Sequence, residues 1–216
     1  MSGDEGVTMS ARFPAWARDE LTALAHRYGE PLIGVNRDPD AAAYLRTIKT
    51  RRRPGEVCMV VRRPSGALLV SRKTFYPPGS YRLPTGGIHR GESIFSALLR
   101  ETEEETNLSV RVRRFLAVAR YQPPDAPAPV NYATFAFLLD ELAGVLQSND
   151  PHERLEAYRE IAPAALPELA DQLDSLANDP SDELEASYRA WGRFRAPIHR
   201  LVWQALNQAL SAGPTL

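Results

Sequence analysis

The chain has 216 residues, with 27 acidic and 26 Lys/Arg side chains and a formal net charge of −1; that length suits one large domain, or one domain with appendages. Its 44% hydrophobic and 25% charged residues are those of a globular chain able to bury a sizeable core, and the even charge balance argues against bulk nucleic-acid binding. No apolar run nears the roughly 18 residues of a membrane helix, residues 1–6 are polar and acidic rather than signal-like, and a lone cysteine, Cys58, excludes an intramolecular disulfide and a zinc–thiolate cluster. A soluble, cytoplasmic protein is the expectation.

In chain order, residues 16–28 read as an amphipathic helix, with Trp16, Leu21, Leu24 and Ala25 on one face and Gly29 as its stop. A linking region follows, closing on the basic run Lys49, Arg51, Arg52 and Arg53. Residues 56–61 and 67–71 are apolar and β-branched around the turn Pro64-Ser65-Gly66, so two strands are expected. A short strand at 81–83, a Gly-rich loop at 85–91 and a strong helix at 93–106 come next. Strands are expected at 110–121 and 130–139, separated by a segment with Pro123, Pro124, Pro127 and Pro129, and an edge strand at 142–147. The last third reads as helical: one helix from Pro167 through Leu169, Leu173 and Leu176, a break at 178–181, and a longer stretch over 182–212 interrupted near Pro197. This order predicts an α/β fold, a mixed sheet between helical layers, with residues 1–53 and 179–216 as helical additions to a domain at 54–178. Trp191, Phe194 and Trp203 in the last stretch suit either a homodimer contact or a cap on the core.

The chemistry concentrates in residues 86–108. On a helix Glu101, Glu104 and Glu105 stand at i, i+3 and i+4, three carboxylates on one face and near a C-terminus, where like charge and helix dipole both disfavour them. A solvated acidic face is one reading. The other is a set of hard oxygen ligands for Mg²⁺ or Mn²⁺, which would remove the repulsion. The opposite face, Phe95, Leu98, Leu99 and Thr102, is expected to pack on a sheet. Arg100 can hold a neighbouring carboxylate by a forked ion pair. Glu92 lies at the favoured N-terminal end, and Gly86, Gly87 and Gly91 allow the loop close backbone approaches.

The spacing Gly86, five residues, Glu92, seven residues, Arg100-Glu101, two residues, Glu104-Glu105, two residues, Leu108 resembles the box of Nudix hydrolases over 23 residues. Thr102 replaces an aliphatic residue, and Asn107 replaces the glycine that ends the helix; Asn tolerates the left-handed conformation needed there. The resemblance implies a Nudix-like α/β/α sandwich and metal-dependent hydrolysis of a phosphoanhydride in a nucleoside diphosphate linked to another group. It further implies that Glu101, Glu104 and Glu105 bind metal, together with the backbone carbonyl of Thr85, and that one of the three glutamates serves as base. Arg100 would orient Glu101 and Glu92 would brace the loop. A further carboxylate is expected from a later loop, Glu156 ahead of Glu153. Tyr81 and Arg82 suit stacking on a base or pairing with phosphate, and packing equally well. Pro124, sixteen residues beyond Leu108, leans toward ADP-ribose or a related nucleotide. A non-catalytic nucleotide sensor of the same fold, or a plain interaction domain, are the alternatives.

Overall fold

A computed structural model describes residues 13, 15–50, 54–122 and 132–211. The extreme N-terminus, the run Arg51–Arg53 and the proline segment with Pro124 lie outside the described residues, as do the side chains of Trp16 and Lys49. The elements are α1 (Ala15–Tyr28), β1 (Leu32–Asn36), α2 (Pro39–Thr50), β2 (Glu56–Arg62), β3 (Leu68–Lys73), β4 (Thr85–Gly87) and α3 (Ile94–Thr106). They continue with β5 (Leu108–Tyr121), β6 (Ala133–Gly144), β7 (Leu155–Ile161), α4 (Leu166–Asp174), a two-stranded hairpin of β8 (Pro180–Ser181) and β9 (Ala186–Ser187), and α5 (Tyr188–Ser211).

The main sheet runs β1-β5-β6-β2-β3-β7, with β4 also paired to β2. It is mixed: β1 lies parallel to β5 and β2 parallel to β6, and the other pairs are antiparallel. Period-two alternation divides the central strands between two cores. Val57, Met59 and Val61 of β2, with Phe115, Phe135 and Phe137, pack against α1 and α3. Cys58 and Val60, with Ala117 and Ala136, pack against α2, α4 and α5. The result is an α/β/α sandwich, as the sequence leads one to expect.

Several expectations need correction. The linking region holds β1 and α2. Asp38 begins that helix by accepting from the amides of Asp40 and Ala41, with Pro39 next in the chain. Residues 81–83 form no strand and make only the isolated bridge Ser71–Arg82, whereas Thr85–Gly87, expected as loop, pairs with β2. The strands expected at 130–139 and 142–147 are one strand reaching Gly144. Residues 180–187 form a hairpin, so the last helix begins at Tyr188 and runs through Pro197 without ending. Trp191 and Phe194 are fully buried within the molecule, and Trp203 packs against the same core. No helix among the described residues is long and apolar enough to cross a membrane.

Candidate active site

Helix α3 is fixed at both ends before its carboxylates do anything. At its start the Ser93 hydroxyl accepts from the Ser96 amide at 3.0 Å. Glu20 of α1 offers both carboxylate oxygens to the Ile94 and Phe95 amides, each at 2.9 Å. At its end Asn107 adopts φ 54°, ψ 24°, the left-handed cap expected there. The orphan carbonyls of the last turn accept from a returning segment: Gln147 N to Thr106 O at 3.2 Å and Asn149 N to Glu104 O at 2.8 Å. The Tyr158 hydroxyl of β7 donates to the carbonyl of Glu105. This clamping carries the chain past Asp150 and brings Glu153 to the helix.

The buried face of α3 overlaps the one expected, with Leu98 and Thr102 buried and Phe95 packed against the core, and departs from it at Leu99. Ile94, Ala97, Leu98 and Thr102 are buried, while Leu99 is 42% exposed. Thr102 donates to Leu98 O at 2.6 Å, the back-bond to the preceding turn that its hydroxyl permits. Glu101 and Glu105 are themselves buried, at 4% and 0% exposure, so the solvated acidic face is overturned. Four residues apart they stand about 40° apart around the helix, whereas Glu104 is turned about 100° from Glu105. Glu104 accordingly leaves the cluster and accepts from Arg100 at 2.9 Å. The three carboxylates that converge are Glu101, Glu105 and Glu153, each with an oxygen within 4.8 Å of the others.

Arg100 organises the rim with every guanidinium nitrogen. Nε and Nη2 fork onto the two Glu92 oxygens at 2.8 Å each, and Nη2 also reaches Gly87 O at 3.0 Å. Nη1 binds Glu101 at 2.8 Å as well as Glu104. Glu92 also accepts from the His89 amide at 2.8 Å, which closes the loop carrying Gly91 at φ 82°. Hydrogen bonding from Arg100 holds Glu92 below the usual carboxylate range. Gly86 lies so close beneath Glu101 that a Cβ there would meet its carboxylate carbon at 1.9 Å.

Lys73, at the end of β3, completes the cluster. Its ammonium is 2.7 Å from Glu105 and also pairs with Glu153. Burial pushes the Glu101 carboxyl up to about 7, with Glu105 adding and Arg100 opposing. Burial likewise raises Glu105, against the pull of Lys73. Burial works in the same sense on Glu153, but the ammonium of Lys73 outweighs it and holds that group low.

Lys73, Glu101 and Glu153 line a cleft of about 330 Å³ shared with Thr85, Gly86, Gly87, Arg82, Glu56 and Arg195, and Glu105 lies buried behind them. Arg82 is 3% exposed and spends its donors on neutral acceptors: Tyr76 Oη at 2.7 Å, Leu83 O at 2.8 Å and Thr85 Oγ1 at 2.7 Å. Thr85 also accepts from Arg195, which pairs with Glu56 at 2.6 Å. Tyr81 stands elsewhere, with the guanidinium groups of Arg72 and Arg159 at 5.5 and 4.5 Å from its ring centre. Glu156 pairs with Arg72 at 2.6 Å outside the cleft, so Glu153 is the later carboxylate that reaches α3. The exposed His89 side chain does not line the cleft; His152 does. Buried His199 accepts from the Leu83 amide at 3.0 Å, with burial lowering it to about 3.

Sequence reasoning passed over Lys73, Glu56 and Arg195. The available signals were charges set in apolar patterns. Lys73 stands two and four residues beyond inward-facing Ser71 and Leu69, and Arg195 lies within the stripe Trp191, Phe194, Ile198 and Val202.

The sequence profile of the NUDIX domain matches residues 52–182. An ADP-ribose pyrophosphatase of Methanocaldococcus jannaschii is 30% identical over 99 residues, which are 46% of this chain and 57% of that relative. The matched part thus spans little more than half the relative's length. Among solved structures, an ADP-ribose pyrophosphatase of Streptococcus suis is 18% identical at a TM-score of 0.42, covering 70% of this chain and 90% of that one. A C. elegans Ap4A hydrolase is 17% identical at a TM-score of 0.47, covering 73% and 98%.

Proposed function

This chain belongs to the NUDIX domain family, and from that premise we propose that it is a Mg²⁺- or Mn²⁺-dependent hydrolase. The bond cut is the phosphoanhydride of a nucleoside diphosphate linked to another group, with ADP-ribose the substrate we favour. The observation that carries this reading is the convergence of buried Glu101 and Glu105 with half-buried Glu153, beside a cleft that Glu101 and Glu153 line. The donor set fits a hard divalent ion: both Glu105 oxygens are buried without a hydrogen-bond donor in good geometry, although Lys73 lies close in charge contact. Bound there, such an ion neutralises phosphate charge and makes water more acidic.

The remaining roles belong to the protein's own groups. Gly86 and Arg100 hold the Glu101 carboxylate, from below and from the rim. Glu101, held by Arg100 and lining the cleft, is placed to accept a proton from the attacking water. Arg82 brings a buried positive charge with no carboxylate partner of its own among the described residues, a fitting neighbour for a substrate phosphate. The name of the M. jannaschii relative supports ADP-ribose as the first substrate to try.

The test is ADP-ribose with Mg²⁺, followed by identification of AMP and ribose 5-phosphate. Chelation should abolish turnover. Glu105→Gln should lower it about a hundredfold or more, since removing a charged ligand costs several kcal/mol of transition-state stabilisation. Full activity in excess chelator would overturn the reading, and nucleotide binding without turnover across a nucleotide panel would make the protein a sensor.

A further inference from the structure

We propose that Lys73 is a built-in counter-ion, seated among the carboxylates until a divalent ion displaces it toward the anionic substrate. The inference rests on the metal-dependent reading above. Its starting point is position. The ammonium of Lys73 contacts Glu105 and Glu153, two of the three carboxylates whose oxygens converge. It therefore uses the oxygens that a divalent ion would take, and two cations cannot hold the same lone pairs at close range.

The backbone aims it there. Lys73 stands two and four residues beyond Ser71 and Leu69, so the period-two alternation of β3 turns it to the face on which Leu69 packs with α3. The choice of residue is telling as well. Lys73 is one of only two lysines in a chain with 24 arginines. Lysine presents a compact charge on a flexible four-carbon stem, whereas arginine is a planar fork suited to fixed bidentate pairs. Arg195 in the same cleft and Arg100 beside it serve as such fixed partners, and Arg82 is tied down by three groups. Lys73 alone of these cations has a stem that can swing, and it lines the cleft into which it would swing. Displaced, it joins Arg82 in facing the substrate phosphates. Metal loading and anion binding then favour one another, because each removes the ammonium from a place the other cation needs or offers it a new partner.

Two measurements on the full chain test this. Acylation of lysine amines, read by mass spectrometry with Lys49 as reference, should mark Lys73 at least tenfold faster with Mg²⁺ than with chelator. Separately, Mn²⁺ affinity is measured by calorimetry with and without AMP. AMP should tighten Mn²⁺ binding at least fivefold in the parent and leave it unchanged in Lys73→Met, which should bind Mn²⁺ alone at least as tightly as the parent does. If Mn²⁺ does not bind the parent at all, the metal reading fails and this inference with it. If Mn²⁺ binds but Lys73 is labelled no faster and AMP has no effect, the counter-ion role fails and the metal reading stands. Should Lys73→Met not fold, the labelling of the parent chain decides alone.

Discussion

A Cβ built on Gly86 would lie 1.9 Å from both Cδ and Oε2 of Glu101, so the carboxylate occupies the space a side chain would need. Gly86→Ala must move Glu101, because the backbone of β4 is pinned to β2 through Val57–Gly86 pairing. A displacement of an ångström at a reacting group costs about a hundredfold in rate; turnover of ADP-ribose should fall by that order, and Mn²⁺ affinity should weaken alongside it. Undiminished activity would mean that Glu101 does not need this place. The same carboxyl also predicts a pH dependence. Its folded value of about 7 lies above the ordinary 4.5, so the folded chain takes up this proton more readily than the unfolded one. Its contribution to stability is then full below about 4.5 and lost as the pH rises through about 7. A metal ion needs the ionised form, so affinity should rise over the same window. Calorimetry should find Mn²⁺ binding roughly tenfold weaker at about pH 6 than at about pH 8. Equal affinities would show Glu101 already ionised at the lower pH.

Among the elements, α3 depends on a helix that lies outside the 52–182 profile match. Glu20 of α1 caps it with two charge-assisted hydrogen bonds, Tyr28 stacks on Phe95 at 6.0 Å, and Leu21 and Leu24 share its apolar core. Glu20→Ala leaves two amides of the first turn without that acceptor and should lower stability by about 1–2 kcal/mol in denaturant melts. An unchanged midpoint would show that water replaces the carboxylate at no cost. The amphipathic stripe of α1 and the spacing of the box helix were legible because each is a local, periodic pattern. Two of the misread segments lack one, whereas α2 has it in Ala41, Tyr44, Leu45 and Ile48. Thr85–Gly87 consists of residues that read as loop, and only the neighbouring β2 makes it a strand. The strand β1 has five residues, too few for alternation to stand out, and its partner β5 lies far along the chain, pairing Leu32 with Ala117. The α2 start did carry a signal, Asp38 before Pro39, that a closer reading of caps would have used. The site suffered from a related blindness. Helical spacing grouped Glu101, Glu104 and Glu105, but which two turn inward is decided by sheet packing and by Arg100, and Glu153 arrives through a loop clamped to the helix end.

Over the whole molecule, the helical additions expected at both ends turn out to be structural layers. The first supplies β1 and α2, and α5 lies across the sheet face, so close to α4 that a Cβ on Gly192 would meet the Leu173 carbonyl oxygen at 2.0 Å. Through Arg195 this last helix also reaches the cleft, where it meets Glu56 at 2.6 Å with both side chains buried. Burial would raise the Glu56 carboxyl, but the charge and hydrogen bond of Arg195 outweigh it and hold the group low. Breaking such a pair from one side leaves a buried charge without a partner. Arg195→Met should therefore cost about 3–5 kcal/mol of stability, whereas removing both charges is often close to neutral. Glu56→Gln keeps an acceptor for Thr134 and turns an amide donor to the Tyr132 hydroxyl, which can accept, so adding it to Arg195→Met should restore much of the loss. Melting curves of both single variants and the double would measure this, with a non-additive recovery expected for groups in contact. The single variant Arg195→Met should also become more stable relative to the parent as the pH falls, because protonating the orphaned Glu56 removes the buried charge. If the two substitutions instead add, the charges are not coupled, and α5 is held to the cleft by its apolar face alone.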